Sequence, residues 1–348
     1  MNNIDRKEIA RKKIYIAYTG GTIGMEKSDH GYIPTSGFLT QSIKQMPEFN
    51  RPEMPLFDIH EYSPLIDSAN MSPKHWQEIA DDIYANYDDY DGFIVLHGTD
   101  TMAFTASALS FMFDNLSKPI IITGSQIPLS ELRSDGQVNL LESLYIAANY
   151  PINEVGLYFN NKLYRGNRTT KIHADGFGAF ASANFGELIE AGIHIQVTNG
   201  KVINANAQTN LLPLSLAQVE PQPIGVVSLY PGINHQVIGN ILEQPVKALI
   251  IQSYGVGNAP ETPEFLNLLK EASQRGIIIV NRTQCVQGHV NMDGYATGHA
   301  LKDAGVISGF DMTLEATLTK LHYLLSQDYS SDEVKALMQQ NLRGELTL

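Results

Sequence analysis

The residues with the clearest chemical potential lie in a glycine-rich turn near the N-terminus. The turn Thr19-Gly20-Gly21-Thr22-Ile23-Gly24 follows Ile14–Tyr18, whose β-branched and aromatic residues predict a buried strand. Glycine lets the backbone turn tightly and approach a ligand closely. Open α/β sheets place their chemistry at the carboxyl ends of their strands. Thr22 is therefore a candidate nucleophile or ligand clamp, and a strand–loop–helix turn without chemistry is the alternative.

Two further turns carry hydroxyl and charged side chains. Ser68 comes shortly after the alternating strand Phe57–Tyr62, and Thr99 with Asp100 follows the apolar strand Phe93–Leu96. The carboxyl ends of parallel strands lie on one edge of a sheet. We therefore expect the three turns to converge there.

A nucleophilic threonine needs a partner that takes its proton, because the hydroxyl is almost fully protonated at pH 7. A lysine can do this when its surroundings favour the neutral amine. Thr99, Asp100 and Lys171 would form such a relay if the fold brings them together, and Tyr32 could serve Thr22 similarly. The ordinary alternatives are a helix N-cap for Asp100, a solvated surface charge for Lys171 and a turn residue for Thr99.

Several other chemistries do not fit the sequence. A dinucleotide-binding G-x-G-x-x-G would need glycine in place of Thr19, and no Gly-Lys-Ser/Thr sequence follows Gly24. The ten histidines form no HxxxH or Cys/His pairing, so we predict no metal site and interpret His97 and His173 as structural. Cys285 is the single cysteine, which excludes an intrachain disulfide and leaves it a structural or effector-contacting role.

The composition argues against nucleic-acid and membrane partners. The 348-residue chain has a formal net charge of −13, and an acidic surface repels phosphates and anionic lipids. Its apolar runs fall far short of the roughly 20 residues that a membrane-spanning helix needs, and Met1–Lys13 is polar and charged. We therefore expect a soluble, cytoplasmic protein with no nucleic-acid or membrane partner.

Strands, polar turns and helices alternate along most of the chain. This order predicts right-handed βαβ units and an α/β protein of two domains, with a doubly wound, mainly parallel sheet in the first. We expect an N-terminal catalytic domain over 1–200, a linker rich in Asn, Gln and Pro over 201–223, and a smaller αβ domain over 224–348. The polar stretch 25–55 is expected to be a long loop that acts as a lid.

Two motifs carry a resemblance to a known family. Tyr18–Gly24 and His97–Thr101 resemble the two signature motifs of bacterial-type L-asparaginases, and nearly the whole chain is similar to their cytoplasmic, type I branch. Further similar stretches are Asp91-Gly92-Phe93, Ile122–Gln126, Arg165–Lys171 and Tyr254–Asn258. The resemblance implies hydrolysis of L-asparagine to L-aspartate and ammonia, a reaction that needs no metal or organic cofactor.

The resemblance also implies catalytic roles. Thr22 matches the primary nucleophile, which forms an acyl-enzyme, and Tyr32 matches the lid tyrosine near it. Thr99, Asp100 and Lys171 match a second catalytic group. In that group Thr99 helps to activate the nucleophile or water, Lys171 takes the proton, and Asp100 also binds the substrate α-ammonium.

Substrate-binding residues follow from the same resemblance. Ser68 matches a residue that holds the α-carboxylate, and Ala69 stands where secreted relatives have glutamine. Asn258 resembles a residue that a neighbouring subunit contributes, which implies a homo-oligomer, a dimer or tetramer. The candidate substrate-binding set is Gly21, Asp67, Ser68, Ala69, Thr99, Asp100 and Asn258.

A regulatory asparagine site is a further implication of the resemblance. Some cytoplasmic relatives have such a site near the positions of Thr170, Gln252 and Cys285, with arginine at the position of Gln252. The loss of that cation removes a strong carboxylate anchor and argues against allosteric activation. Two other functions remain open from the residues: an amidase for another amide such as glutamine, and a non-catalytic asparagine sensor.

Overall fold

The computed structural model describes residues 11–29, 31–198, 212–294 and 296–348. The strands of its N-terminal part are β1 (Lys13–Gly20), β2 (Met25–Ser28), β3 (Gly31–Pro34), β4 (Leu56–Ile66), β5 (Gly92–Leu96), β6 (Phe113–Asp114), β7 (Ile120–Thr123), β8 (Val155–Phe159), β9 (Lys162–Arg165), β10 (Thr170–Lys171), β11 (Phe180–Ala181), β12 (Glu187–Ala191), β13 (Ile195–Val197) and β14 (Ser215–Leu216). Its helices are α1 (Phe38–Gln45), α2 (Pro73–Ala85), α3 (Met102–Met112) and α4 (Gly136–Asn149).

These strands build one large sheet of eight strands in the order β13-β12-β9-β8-β7-β5-β1-β4. Five neighbouring strands, β4, β1, β5, β7 and β8, run parallel to one another. The sheet continues through β9, β12 and β13 with antiparallel pairings. The α/β class and the mainly parallel sheet predicted from the sequence are confirmed. The carboxyl ends of β1, β4, β5 and β7 lie along one edge of this sheet, so the turns that follow them can converge there.

The central strands are apolar throughout because helices cover both faces of the sheet. In β5, Phe93 and Val95 point into one hydrophobic core, while Ile94 and Leu96 point into the other. Successive side chains of a strand alternate between faces, so a strand buried on both sides must be apolar at every position. This explains why Phe93–Leu96 reads as a continuous hydrophobic run.

The C-terminal part forms a separate four-stranded parallel sheet in the order β15-β16-β17-β18. Its elements are β15 (Ile224–Ser228), α5 (His235–Glu243), β16 (Ala248–Ser253), α6 (Pro263–Gln274), β17 (Ile278–Thr283), α7 (Ala296–Asp303), β18 (Ile307–Ser308), α8 (Leu314–Leu325) and α9 (Ser331–Met338). Two further hydrophobic cores lie on its two faces. The smaller C-terminal domain with its own sheet is as predicted.

The stretch 25–55 contains more structure than the expected long loop. It folds into the antiparallel hairpin β2–β3, followed by helix α1. Leu39 and Ile43 lie one helical turn apart and are fully buried in the core beneath the large sheet. The prolines and glycines on either side of α1 hid this short apolar face, so the expectation of a loop was wrong there.

The expected linker over 201–223 is described only in its second half, because 199–211 lie outside the described residues. Within that half, β14 pairs with β6 of the N-terminal part, and Val219 is buried in its core. Among the helices of the described ranges, none combines the length and apolar character that crossing a bilayer requires.

Candidate active site

Three strand-end turns meet at the carboxyl edge of the large sheet, as predicted. Gly20 and Gly21 have φ angles of 139° and 91°, which side chains other than glycine rarely adopt. A Cβ on Gly21 would collide with the backbone of Gly98, and one on Gly98 would collide with Ser68. The glycines therefore let the turns after β1, β4 and β5 touch one another.

Thr99, Asp100 and Lys171 lie in direct contact. The Lys171 ammonium donates to Thr99 Oγ1 at 3.0 Å and to Asp100 Oδ1 at 2.8 Å. Lys171 is held by β10, which pairs with β11, and its side chain is 18% exposed, whereas that of Asp100 is 66% exposed. The structure thus joins the predicted relay across 71 residues of chain and leaves one carboxylate open to a ligand.

Gln126, which follows β7, completes the contacts of Thr99. The Thr99 hydroxyl donates to Gln126 Oε1 at 3.0 Å. The Gln126 amide nitrogen donates to the carbonyl oxygens of Gly176 at 3.0 Å and Ala174 at 3.3 Å, in the segment after Lys171. The sequence analysis names this turn only as part of the resemblance and gives Gln126 no role. The turn is nevertheless a fourth polar turn at the same edge of the sheet.

Thr22 begins a short helical turn, Thr22–Gly24, and is half-buried. The expected partner of Thr22, Tyr32, lies on β3, is 46% exposed, and donates from its hydroxyl to Glu131 Oε1 at 2.8 Å. No hydrogen bond joins Tyr32 to Thr22 within the described residues. The bond to Glu131 raises the pKa of the Tyr32 phenol, which makes the ionised form that could accept the Thr22 proton scarcer.

His97 is structural, as interpreted from the sequence. It is fully buried, its Nδ1 lies 2.7 Å from the carbonyl oxygen of Gly98, and its Nε2 lies 2.8 Å from the Thr105 hydroxyl. A carbonyl only accepts, so Nδ1 carries the proton and Nε2 accepts from Thr105. Burial lowers the pKa of His97 to about 4, so the ring is neutral and supports the turn before Thr99.

The turn after β4 brings the remaining N-terminal candidates to the site. Ser68 is buried against Gly98, while Asp67 and Ala69 are exposed beside it. Asp67 accepts from the backbone N–H of Ala69 at 3.0 Å, which shapes the turn. This turn is tied to the next by the Thr101 hydroxyl, which donates to the Ser68 carbonyl at 2.7 Å.

Asn258 lies elsewhere, in the turn after β16 of the C-terminal sheet. Its backbone N–H and carbonyl both pair with Tyr254, at 2.8 and 2.9 Å. Within the described residues no hydrogen bond connects it to Thr22, Thr99 or Lys171. Among the described residues of one chain, Asn258 is therefore not joined by a hydrogen bond to the candidate catalytic residues.

The three residues of the expected effector site lie around a buried cluster. Thr170 donates to Glu315 Oε1 at 2.7 Å, and Gln252 accepts from Arg282 Nη1 at 3.0 Å. Arg282 is 9% exposed and sits opposite Gln252 in the pairing of β16 with β17. The guanidinium of Arg282 therefore lies beside Gln252. The sequence analysis did not predict a cation here, because it considered only the residue at position 252. Cys285 is exposed nearby.

Burial dominates the electrostatics of this cluster. It raises the pKa of Glu315 and lowers that of Arg282, and the attraction between the two opposes both shifts. Glu315 Oε2 is buried without a hydrogen-bond partner within the described residues. No group of three or more His, Cys, Asp or Glu side chains in the described ranges could hold a metal ion.

Both halves of the chain match models of known protein domains. Residues 13–203 match the N-terminal asparaginase domain, and residues 223–338 match the C-terminal domain described as glutaminase/asparaginase. Together the two matches span most of the chain.

Individual relatives agree with these domain matches. L-asparaginase 1 of Escherichia coli K12 is 65% identical over 337 residues, which cover 97% of this chain and 98% of that protein. The crystal structure of L-asparaginase I from Vibrio cholerae superposes with a TM-score of 0.92 at 64% identity, covering 97% of this chain and 100% of that one. The human 60 kDa lysophospholipase is 41% identical over 97% of this chain and 62% of its own length.

Proposed function

The chain belongs to the asparaginase family, and we propose that it hydrolyses the side-chain amide of L-asparagine to L-aspartate and ammonia. The observation that carries this proposal is the Thr99–Lys171–Asp100 contact beside the glycine turn of Thr22. A covalent route needs a nucleophile, a proton carrier and donors for the developing oxyanion. The site has all three at one sheet edge.

We assign the steps as follows. The Thr22 hydroxyl oxygen attacks the amide carbon while its proton passes to Thr99 Oγ1, and Thr99 passes its own proton to Lys171, which accepts it as the neutral amine. The C–N bond then breaks as Lys171 returns that proton through Thr99 to the leaving nitrogen, which departs as ammonia. Water then attacks the acyl-threonine ester, which releases aspartate and returns the proton to Thr22. We assign the stabilisation of the oxyanion to backbone N–H groups of the glycine turns, including that of Gly21.

Recognition of the substrate backbone is assigned to the adjoining turns. Asp100 is the exposed carboxylate that pairs with the α-ammonium, and Ser68 with its neighbours Asp67 and Ala69 receives the α-carboxylate end. Asn258 would reach this site from a second copy, so we propose a homo-oligomer, a dimer or tetramer. Its place in the turn after β16, with no hydrogen bond to Thr22, Thr99 or Lys171 among the described residues of its own chain, supports this.

Two further assignments, the cellular location and the domain boundaries, accompany the activity. We propose a cytoplasmic location, which the type I motifs of the chain support. We also propose that 1–200 and 224–348 are the domains, with the linker between them.

The effector residues support a second amino-acid site. We propose that Thr170, Gln252 and Cys285 line it, and that Arg282 supplies the cation for a ligand carboxylate. The buried contact of Thr170 with Glu315 links this site to the chain segment of Lys171, one residue away.

The activity is tested by ammonia release from L-asparagine with wild-type protein, Thr22→Ala and Thr99→Val. Both variants should lose about 10²–10⁴-fold in kcat, because each removes a group that acts in the chemical step. Thr22→Ser is the matched control, since it keeps the hydroxyl and should retain far more activity than Thr22→Ala.

L-Glutamine measured in parallel separates an asparaginase from an amidase of other specificity. Near wild-type turnover by both Thr22→Ala and Thr99→Val would refute the assignment of the nucleophile. Binding of asparagine, seen as a thermal shift, without ammonia release would identify a sensor instead.

A further inference from the structure

We propose that Gln126 is a positioning residue that sets the direction of the hydroxyl proton on Thr99. The proposal rests on the proposed function, and it assigns a role that the motif residues do not supply. Gln126 follows β7, and its side-chain amide lies between Thr99 and the segment that follows Lys171.

The orientation of the Gln126 amide is fixed by its surroundings. The carbonyl oxygens of Gly176 and Ala174 can only accept hydrogen bonds, and they lie 3.0 and 3.3 Å from Nε2. The amide NH₂ must therefore face them, which turns Oε1 toward Thr99. A flipped amide would place oxygen against two oxygens and lose both bonds.

The orientation of the Thr99 hydroxyl follows. Gln126 Oε1 only accepts and the Lys171 ammonium only donates, and each lies 3.0 Å from Thr99 Oγ1. While Lys171 is an ammonium, the single hydroxyl proton of Thr99 must point at Gln126, and it turns to Lys171 only when that amine is neutral. One oxygen lone pair then faces Lys171, and the other is free to accept from a group in the site.

This arrangement makes Thr99 Oγ1 a hydrogen-bond acceptor toward the reacting groups, so a lone pair faces the proton that Thr22 gives up. Without Gln126 the Thr99 hydroxyl could rotate and donate to the nucleophile or to a substrate oxygen. That orientation would compete with the one in which Thr99 Oγ1 accepts a hydrogen bond from the nucleophile. Gln126 contacts Thr99 and two backbone carbonyls, so its loss should slow the chemical step and leave substrate binding nearly unchanged.

The test is a double-mutant cycle on ammonia release from L-asparagine, with Gln126→Met, Thr99→Val and the double variant. Gln126→Met keeps the side-chain length and removes the polar atoms. We expect kcat to fall about tenfold, the effect of one misplaced hydrogen bond, with KM changing less than about twofold. In the Thr99→Val background, the same substitution should change kcat less than about twofold, because the hydroxyl is gone.

His173→Ala is the matched control for the neighbouring segment. His173 Nδ1 accepts from the backbone of Asp175 and Gly176, so its removal loosens the same segment without touching Thr99. It should leave kcat within about twofold of wild type.

Three results would overturn the role of Gln126. They are an unchanged kcat in Gln126→Met, a further tenfold loss in the double variant, and an equal loss in His173→Ala. If Gln126→Met does not fold, Gln126→Ala takes its place in the cycle, and it must lower kcat about tenfold when Thr99 is present and less than about twofold in the Thr99→Val background. A wild-type protein that releases no ammonia would instead refute the proposed function.

Discussion

At the residue scale, Arg282 shows how one side chain can take the place of another across a sheet. Gln252 and Arg282 are direct neighbours in the parallel pairing of β16 and β17, and they share a 3.0 Å hydrogen bond. A cation on either strand reaches the same space. The sequence analysis expected a positive charge to be missing at position 252. Arg282 on the neighbouring strand β17 supplies a positive charge at this place.

A substitution of Arg282 tests the proposed effector site. We expect the velocity of wild-type protein to depend on asparagine concentration in a sigmoidal way, because ligand at the second site would favour the active state. Arg282→Leu should abolish the sigmoidal dependence and leave a hyperbolic curve, since the carboxylate anchor is gone. The measurement is initial velocity against asparagine concentration for both proteins.

Arg275→Leu is the control substitution, because Arg275 follows α6 and donates to the Leu242 carbonyl rather than to a residue of the cluster. It should keep the wild-type curve. A hyperbolic curve for wild-type protein would show that asparagine does not regulate the enzyme through this cluster.

The sequence predicts residues that belong to motifs better than residues that act through contacts. Thr99 and Asp100 follow from their types and from the strand-end rule, whereas Lys171 was joined to them on its charge and on the resemblance, and the structure shows the three in contact. Gln126 and Arg282 act through partners far apart in the chain. No local pattern marks which glutamine or arginine will meet such a partner.

At the element scale, the hairpin β2–β3 holds Tyr32 in contact with Glu131, which lies in the segment between β7 and α4. The Ser130 hydroxyl also donates to the Met25 carbonyl at 3.3 Å, so the same segment contacts the base of the hairpin. The contact between Tyr32 and Glu131 is exposed, so breaking it needs little free energy. We therefore expect the Tyr32 hydroxyl to be able to exchange Glu131 for a hydrogen-bond partner in the site.

Removal of Glu131 should free the hairpin. We expect Glu131→Ala to raise kcat/KM for asparagine about two- to fivefold, because an exposed hydrogen bond of roughly 1 kcal/mol no longer occupies the Tyr32 hydroxyl. Glu131→Gln keeps an acceptor oxygen and should behave like wild type. A lower kcat/KM in Glu131→Ala would mean that the contact supports the active position of the hairpin instead.

Element prediction succeeded where the hydrophobic pattern was continuous and failed where it was short. The central strands were found because burial on both faces makes every position apolar. Helix α1 was missed because its apolar face consists mainly of Leu39 and Ile43, set within a polar, proline-rich stretch. Hairpin β2–β3 was missed for another reason: all four residues of β3 are exposed, so no alternation of apolar and polar residues marks it.

At the scale of the whole molecule, the C-terminal segment joins the two parts of the chain close to the site. Arg168, three residues before Lys171, is buried and donates to Asp311 at 2.8 Å and to the Gly344 carbonyl at 2.8 Å. Glu345 pairs with Lys320 at 2.5 Å, with both side chains fully buried. The position of Lys171 therefore depends on contacts made by the last residues of the chain, which no local sequence pattern reveals.

His322 lies between the two parts and should make stability depend on pH. Its Nδ1 accepts from the Gln222 backbone at 3.1 Å, and its ring packs edge-on against Trp76. Burial lowers the pKa of His322 from 6.5 to about 4. Above pH 6.5 the ring is neutral in both states, so its contribution is complete. As the pH falls toward 4 the unfolded chain takes up the proton first, and stability is lost.

A comparison of pH profiles isolates this histidine. For one such group the free energy of unfolding should fall by about 2 kcal/mol between pH 7 and pH 5. His322→Asn keeps an acceptor for Gln222 and removes the proton site, so its urea-unfolding free energy should fall by about 2 kcal/mol less than that of wild type over the same interval. The exposed His194 provides the control, because His194→Asn should leave the wild-type slope unchanged. Equal slopes for wild type and His322→Asn would mean that His322 takes up its proton equally well in the folded and unfolded chain, and that its burial between the two parts has no energetic consequence.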